Sequence, residues 1–237
     1  MNPWGEFQFS LRNRLLGRFR LRRGLPRIEI SESPEHRFYE LILARAFTRA
    51  ELESVDTVLD VGSRNGSYLP ALARSCPRAR IIGVELDGGR RYWNGFRRAD
   101  FGEAYAKVLR EEGRDAEYHW ADFRELSANT LKLPAQGAVV ASLFYPFVSV
   151  DPCISWGLPA QYADFNLVLQ SLRTLAGAIP EASFQILSIH QGEWERNQAR
   201  SIYESADLEC FEVRVNRPEF ASLWPSEHDA FLIRVRI

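Results

Sequence analysis

The stretch V-L-D-V-G-S-R-N-G-S-Y, from Val58 to Tyr68, decides the fold of this chain. Its first residues form an apolar, β-branched run of the length of a buried strand, and Gly62 and Gly66 bracket a turn that opens on a helical pattern. Glycine permits a positive φ in such a turn, and its missing side chain lets a ligand approach the backbone closely. The helix that follows points unpaired N–H groups and its positive end at the turn. The segment therefore predicts a strand, turn and helix that bind a carboxylate or a phosphate.

A second acidic residue ends the next predicted strand. The run I-I-G-V is followed by Glu85, roughly two dozen residues after the glycine turn. In doubly wound nucleotide-binding folds, an acid at this place accepts hydrogen bonds from the ribose hydroxyls. Bonds to a charged acceptor contribute about 1.5–3 kcal/mol each before competition with water. Glu85 is therefore the candidate ribose-binding residue.

Three short motifs between residues 56 and 123 resemble those of the class I S-adenosylmethionine-dependent methyltransferases, in the same order. The first, an acid followed by alternating glycines, matches D-V-G-S-R-N-G from Asp60, with Arg64 in place of the middle glycine. The second, an acid that closes strand two, matches G-V-E at Glu85, and the third matches A-D-F at Asp122. Three ordered matches favour a cofactor site over a purely structural turn.

The resemblance implies that S-adenosyl-L-methionine is the cofactor. It implies further that the glycine turn lines the methionine end, that Glu85 holds the ribose, and that Asp122 and Phe123 border the adenine. The full set of implied cofactor-binding residues is Asp60, Gly62, Ser63, Gly66, Glu85, Leu86, Asp122, Phe123 and Ser142. A dinucleotide-binding domain is the chemical alternative, but its G-x-G-x-x-G pattern is absent after Gly62, which disfavours a nicotinamide cofactor.

The pattern along the rest of the chain favours an α/β fold, a Rossmann-like doubly wound sheet with helices on both faces. The predicted strands lie near residues 57–61, 80–85, 116–120, 137–143, 184–189, 208–215 and 230–237. The resemblance implies that the last strand is antiparallel and closes a seven-stranded mixed sheet. Residues 88–113, interrupted by glycines, are predicted to form two helical pieces, the second either part of a lid or an ordinary crossover helix.

The acceptor of the methyl group is expected beside the carboxyl end of the fourth predicted strand, where open parallel sheets bind ligands. Family members that methylate amino groups carry Asn or Asp, Pro-Pro and an aromatic residue here. This chain has S-L-F-Y-P-F from Ser142 to Phe147, which disfavours methylation of a base or glutamine nitrogen by that clamp. Phe144 and Tyr145 either wall a planar acceptor or anchor the loop.

His190 and Tyr145 are the candidate catalytic residues. His190 follows the fifth predicted strand, and the ordinary pKa of histidine makes it a suitable general base. A base is needed only if the nucleophile arrives protonated. The alternative for His190 is a hydrogen-bonded loop histidine without a catalytic role.

The composition is that of a soluble globular chain. Of its 237 residues 46% are hydrophobic and 26% charged, which disfavours disorder. No apolar run approaches the roughly 18–20 residues of a transmembrane helix, and no secretory signal is expected. Three widely spaced cysteines without a C-x-x-C pair predict reduced thiols in the cytoplasm, and the scattered histidines predict no metal site.

The amino-terminal residues differ in charge from the rest of the chain. Residues 1–27 contain seven arginines against one glutamate, a net +6 in a chain of net −1. Apolar residues recur at helical spacing among them, so a helix here would be basic on one side. That helix either covers the catalytic domain, contacts nucleic acid or an acidic partner through residues 12–27, or lies on an anionic membrane.

We therefore divide the chain into a basic arm with a helical extension, residues 1–50, and a methyltransferase domain, residues 51–237. The expected function is transfer of a methyl group from S-adenosylmethionine to a small-molecule or nucleic-acid acceptor, with a small molecule favoured. The alternative is a non-catalytic scaffold of methyltransferase-like fold that acts through its basic arm.

Overall fold

The computed structural model describes residues 24–30, 33–214 and 230–237. Most of the arginine-rich segment at residues 1–27 lies outside the described residues, and the roles predicted for it stay predictions. Within the described ranges, no helix combines the length and the apolar character needed to cross a membrane.

The described strands form one seven-stranded sheet. They are β1 (Thr57–Val61), β2 (Arg80–Glu85), β3 (Ala116–Trp120), β4 (Gln136–Phe144), β5 (Glu181–Gln191), β6 (Glu209–Arg214) and β7 (Ala230–Arg236). Their spatial order is β3-β2-β1-β4-β5-β7-β6, with β1 to β5 parallel and β7 antiparallel to both of its neighbours. The predicted fold class, including the antiparallel last strand, is confirmed.

Helices cover both faces of the sheet. They are α1 (Pro34–Ala46), α2 (Arg49–Ser54), α3 (Leu69–Ser75), α4 (Arg98–Glu111), α5 (Val150–Ser155), α6 (Phe165–Gly177) and α7 (Glu193–Ser205). The first begins where a serine side chain caps it, because the Ser33 hydroxyl accepts a hydrogen bond from the His36 N–H at 3.1 Å. The second begins with a capping box between Thr48 and Glu51.

The alternation of side chains along β1 divides the core into two clusters, one on each face of the sheet. Val58 packs in the cluster that holds residues of α1 and α3, whereas the next residue, Leu59, packs in the cluster that holds residues of α6. Both residues are fully buried. Helix α1, which lies in the segment assigned to the helical extension, therefore shares a core with the sheet.

The prediction that residues 88–113 form two helical pieces is wrong. Residues 98–111 form a single helix, α4, and the preceding loop is closed by an antiparallel bridge between Arg91 and Arg97. The pair Gly88–Gly89 explains the difference, since a Cβ at Gly88 would overlap the ring of Trp120. The loop folds onto that ring, and a helix there would have to carry side chains into it.

Candidate functional site

A cavity of about 470 Å³ opens at the carboxyl ends of the parallel strands. Its lining includes six of the residues predicted for the site: Gly62, Glu85, Leu86, Asp122, Phe123 and Tyr145. It does not include Asp60, Ser63, Gly66, Ser142 or His190. The sequence motifs therefore bring some residues to the cavity and others to the structure beneath it.

The turn after β1 presents its backbone to the cavity at Gly62. This glycine has φ +82°, and a Cβ built on it would meet no atom within 4 Å. The N–H groups of Gly62 and Ser63 both donate to the Val84 carbonyl, at 2.9 and 3.0 Å, which ties the turn to β2. A ligand can therefore approach this backbone at a fixed position.

Glu85 closes β2 and has only 6% of its surface exposed. Its Oε2 accepts from the Arg64 N–H at 2.7 Å and its Oε1 from the Asp87 N–H at 2.7 Å. A carboxylate offers about four acceptor positions, so two remain for a ligand. Burial raises the pKa of Glu85, while the Asp87 N–H and the charge of Arg98, 3.9 Å away, oppose the rise.

Asp60 and Ser142 lie below the turn and do not face the cavity. The β1–β4 register places them side by side, and the Ser142 hydroxyl donates to Asp60 Oδ1 at 2.7 Å. Both are fully buried, and burial raises the pKa of Asp60 to about 7, against the effect of the Ser142 bond. The pair supports the turn from inside the sheet. The resemblance implied that both residues contact the cofactor, but neither lines the cavity.

Gly66 and Gly102 let the turn and α4 pack together. Gly66 has φ +72°, and a Cβ on it would lie 3.0 Å from the Gly102 Cα. A Cβ on Gly102 would overlap the ring of Tyr118, and one on Gly83 would lie 3.0 Å from that ring. The hydroxyl of Tyr118 donates to the Arg64 carbonyl, so this single ring contacts β2, α4 and the turn. The role of Gly66 is thus close packing rather than ligand approach.

Asp122 caps a short 3-10 helix, Phe123–Glu125, and is bound by Arg124. The Arg124 Nη2 donates to Asp122 Oδ2 at 2.6 Å and its Nε to Oδ1 at 3.0 Å, and this pair lowers the pKa of Asp122. The Arg124 guanidinium lies 4.8 Å from the centroid of the Tyr162 ring. The sequence motifs did not predict Arg124 and Tyr162 as cavity residues, although both line it. The signal for Arg124 was a basic residue two positions after the acid of A-D-F.

We call the surface formed by Gly62, Glu85 and Asp122 the carboxylate side. A second surface, the aromatic side, is formed by Tyr39, Tyr68, Phe144 and Tyr145, and the Tyr68 hydroxyl joins the two surfaces by donating to the Gly62 carbonyl at 3.0 Å.

Aromatic rings from three elements pack together to make the aromatic side. The Tyr39 ring stacks on Phe144 with 4.9 Å between centroids and 12° between planes, and its centroid lies 4.8 Å from that of Tyr68. Tyr145 has φ +57°, a conformation that costs a tyrosine energy, and its N–H donates to the Ile189 carbonyl at 2.9 Å. Burial raises the pKa of Tyr145 to about 12, so its phenol is protonated at neutral pH. Tyr39 was not predicted as a site residue, although it lies in the segment assigned to the helical extension.

His190 lies away from the cavity, on the side of the sheet covered by α6. It is fully buried, its Nε2 is 2.9 Å from the Ser188 hydroxyl, and the edge-on Phe165 ring has its centroid 6.4 Å away. Burial lowers the pKa of His190 to about 4. A general base must reach the proton that it removes. The predicted role of His190 therefore has no geometric support. The histidine is hydrogen-bonded, as in the alternative, but it lies within β5 rather than in a loop.

The loop around Trp156 meets the loop after β2 over the cavity. The Arg90 guanidinium donates to the Trp156 carbonyl, and the guanidinium groups of Arg64 and Arg98 lie 5.5 and 5.9 Å from the Trp156 ring centroid. Asp87 pairs with both Arg90 and Arg98. Two segments distant in sequence thereby border one opening.

Solved structures of S-adenosylmethionine-dependent methyltransferases share this architecture. The delta-N METTL16 MTase domain is similar with a TM-score of 0.51 and 11% identity, over 98% of this chain and 96% of that one. A SAM-dependent methyltransferase from Aquifex aeolicus has a TM-score of 0.48 and 13% identity, over 87% and 100% of the two chains. Magnesium protoporphyrin IX methyltransferase from Synechocystis PCC 6803, solved with bound SAM, has a TM-score of 0.49 and 12% identity, over 86% and 79%.

No family model matches the chain, and no curated protein matches it. The structural likeness, at this low identity, is one of fold. The chain has the fold of the class I S-adenosylmethionine-dependent methyltransferases, as its motifs indicated.

Proposed function

We propose that this protein is an S-adenosylmethionine-dependent methyltransferase that transfers a methyl group to a small-molecule or nucleic-acid acceptor. The position of Glu85 carries the proposal. Its carboxylate lines the cavity at the end of β2, one strand from the open backbone of Gly62, with two acceptor positions unused by the protein. This is the arrangement that two vicinal ribose hydroxyls require.

The remaining residues of the carboxylate side fit the same cofactor. Gly62 leaves room for the methionine part, while Asp122 and Phe123 border the region assigned to the adenine. Because Arg124 already binds the Asp122 carboxylate, the adenine amine would share that acceptor with a guanidinium. S-adenosylmethionine, when bound, supplies a methyl group on a positively charged sulfur.

The protein's own contribution to such a reaction is positioning. Correct orientation of two reactants is worth roughly 7–11 kcal/mol of barrier, provided that the geometry is held. The stacked rings of Tyr39 and Phe144 offer a flat apolar wall for an acceptor. The protonated phenol of Tyr145 is available to donate a hydrogen bond to an acceptor oxygen or nitrogen.

Isothermal calorimetry with S-adenosylmethionine and S-adenosylhomocysteine tests the proposal. We expect micromolar binding by the full chain and its loss in Glu85→Ala, because two hydrogen bonds to a charged acceptor disappear, about 3–6 kcal/mol together. Glu112→Ala, at an exposed position just beyond α4, is the matched control and should bind normally.

The folded state of each variant is checked by its thermal melt, since Glu85 also accepts two backbone N–H groups. No heat from the wild-type protein at saturating ligand would contradict the proposal. The non-catalytic scaffold would then be the better description.

A further inference from the structure

Arg64 occupies the middle-glycine position of the turn and lines the cavity. Its φ is +49°, a left-handed conformation that side chains other than glycine rarely adopt. The backbone is held there on both sides, because its N–H donates to Glu85 Oε2 at 2.7 Å and its carbonyl accepts from the Tyr118 hydroxyl. The structure thus fixes an arginine where glycine would be easier to accommodate.

Arg64 differs from Arg98 and Arg124, two other arginines of the cavity, in the partner of its guanidinium group. Arg98 lies 3.3 Å from the Asp87 carboxylate, and Arg124 lies 2.6 Å from that of Asp122. In the part of the chain that the structure describes, no carboxylate lies within ion-pair distance of the Arg64 guanidinium, whose contact is the Trp156 ring at 5.5 Å. An aromatic face orients a guanidinium without neutralising it.

The Arg64 charge also reaches the aromatic side of the cavity. Burial raises the pKa of both Tyr39 and Tyr68, and the positive charge of Arg64 opposes that rise at each. Arg64 and these rings therefore line the same cavity, close enough for the charge to act on both phenols.

We infer that Arg64 is a carboxylate-binding residue of this cavity. A guanidinium presents a planar fork of N–H donors that matches a carboxylate in two parallel hydrogen bonds. The carboxylate has two available sources: the amino-acid end of S-adenosylmethionine, or an acidic group on a planar acceptor held against the rings. The inference rests on the proposed function and adds the ligand chemistry of one residue to it.

Calorimetry with a pair of cofactors tests the first source. S-adenosylmethionine and its decarboxylated form differ only in the carboxylate, and each is titrated into the wild-type protein, Arg64→Gln and Arg64→Lys. If Arg64 binds the cofactor carboxylate, we expect the wild type to favour S-adenosylmethionine by about tenfold or more, Arg64→Gln to lose this preference, and Arg64→Lys to keep part of it. Arg78→Gln, at an exposed position before β2, is the charge-matched control.

A second pair of ligands tests the other source. Benzoate and benzamide have the same shape and differ in charge, and their binding is followed by NMR on protein with and without S-adenosylhomocysteine. Preference for benzoate in the wild type and Arg78→Gln, and its absence in Arg64→Gln, would assign the carboxylate to the acceptor.

The inference is overturned if Arg64→Gln changes neither preference, or if Arg64→Gly and Arg64→Gln bind S-adenosylmethionine more tightly without any preference for acids. The first result together with normal cofactor binding by the wild type leaves the proposed function intact. Absence of cofactor binding by the wild type removes the proposed function, whereas the benzoate arm on ligand-free protein still decides the role of Arg64.

Discussion

The carboxylate side and the aromatic side of the cavity face the same space but are built in different ways. On the carboxylate side, hydrogen bonds to backbone N–H groups fix the chemically active groups, as at Glu85, and all of them come from three neighbouring strands, β1 to β3, and the loops that follow them. On the aromatic side, stacking fixes the rings, which come from α1, the start of α3 and the end of β4. Polar recognition is therefore a local property of this chain, whereas the apolar wall is assembled by tertiary packing.

The largest expected effect concerns the buried acid beneath the carboxylate side. In the folded protein the pKa of Asp60 is about 7, whereas in the unfolded chain it is near the ordinary value of 3.8. The folded state therefore loses stability as pH rises from about 4 to about 7, by about 4 kcal/mol at 1.36 kcal/mol per unit. Asp60→Asn should remove this loss.

Urea unfolding of the wild type and Asp60→Asn across this range measures the difference. The same substitution at the exposed Asp151 is the control and should not alter the slope. A difference between wild type and Asp60→Asn that is independent of pH would show that the Ser142 bond keeps Asp60 ionised.

His190, in the strand beside the aromatic side, should give the opposite slope. Its folded pKa of about 4 lies below the ordinary 6.5, so the unfolded chain binds the proton more readily. The contribution of neutral His190 to the free energy of unfolding is fully present above pH 6.5, and it falls by about 3 kcal/mol as the pH drops toward 4. In His190→Gln, denaturant unfolding should lack this fall.

The same variant separates the two roles considered for this histidine. A buried structural residue leaves turnover at neutral pH largely intact once the protein is folded. A loss of about 10²–10⁴-fold in kcat would instead restore the general-base prediction.

Tyr39→Leu should weaken the aromatic side and spare the other. The change removes three ring pairs, with Phe38, Tyr68 and Phe144, each worth about 0.5–1.5 kcal/mol, so the free energy of unfolding should fall by about 3 kcal/mol. Affinity for S-adenosylhomocysteine should stay within about threefold of wild type if the two sides are independent. An equally large loss of cofactor affinity would show that the sides are coupled.

Arg64→Gly should give the smallest effect, with the opposite sign. A residue other than glycine pays about 1–2 kcal/mol for left-handed backbone, and part of the gain is offset because glycine is more flexible in the unfolded chain. We expect stabilisation of about 1 kcal/mol in urea unfolding. Arg64→Ala removes the same side chain but keeps the energetic cost of the left-handed backbone. If this variant is stabilised as much as Arg64→Gly, the destabilisation comes from the arginine side chain and not from the backbone.

The carboxylate side could be predicted from the sequence because its residues follow strand ends. The bounds of β1, β2 and β3 match the predicted strands, and parallel strands bring their carboxyl ends to one edge. Gly62, Glu85 and Asp122 therefore reach the cavity together. The motif does not distinguish residues that face a ligand from residues that support the turn, so Asp60 and Ser142 were assigned a contact that their burial in the sheet does not provide.

The aromatic side could not be predicted to the same extent. The sequence predicted a helical extension within residues 1–50, but which residue of α1 reaches the cavity depends on how that helix packs, and that residue is Tyr39. The loop before α4 was mispredicted because its glycines are required by a ring, Trp120, that comes from another strand.

The ring of Tyr118 has a consequence for how this protein can change over evolutionary time. A Cβ on Gly102 would overlap the Tyr118 ring, so Gly102 cannot acquire a side chain while the tyrosine remains, whereas a Cβ on Gly83 would meet the Ser63 Oγ at 2.8 Å as well as that ring at 3.0 Å. Substitution of Gly102 is therefore expected to be accompanied by substitution of Tyr118, and substitution of Gly83 by changes at Tyr118 and Ser63. Among homologues they should be inherited as a block, even where the acceptor-binding surface has diverged.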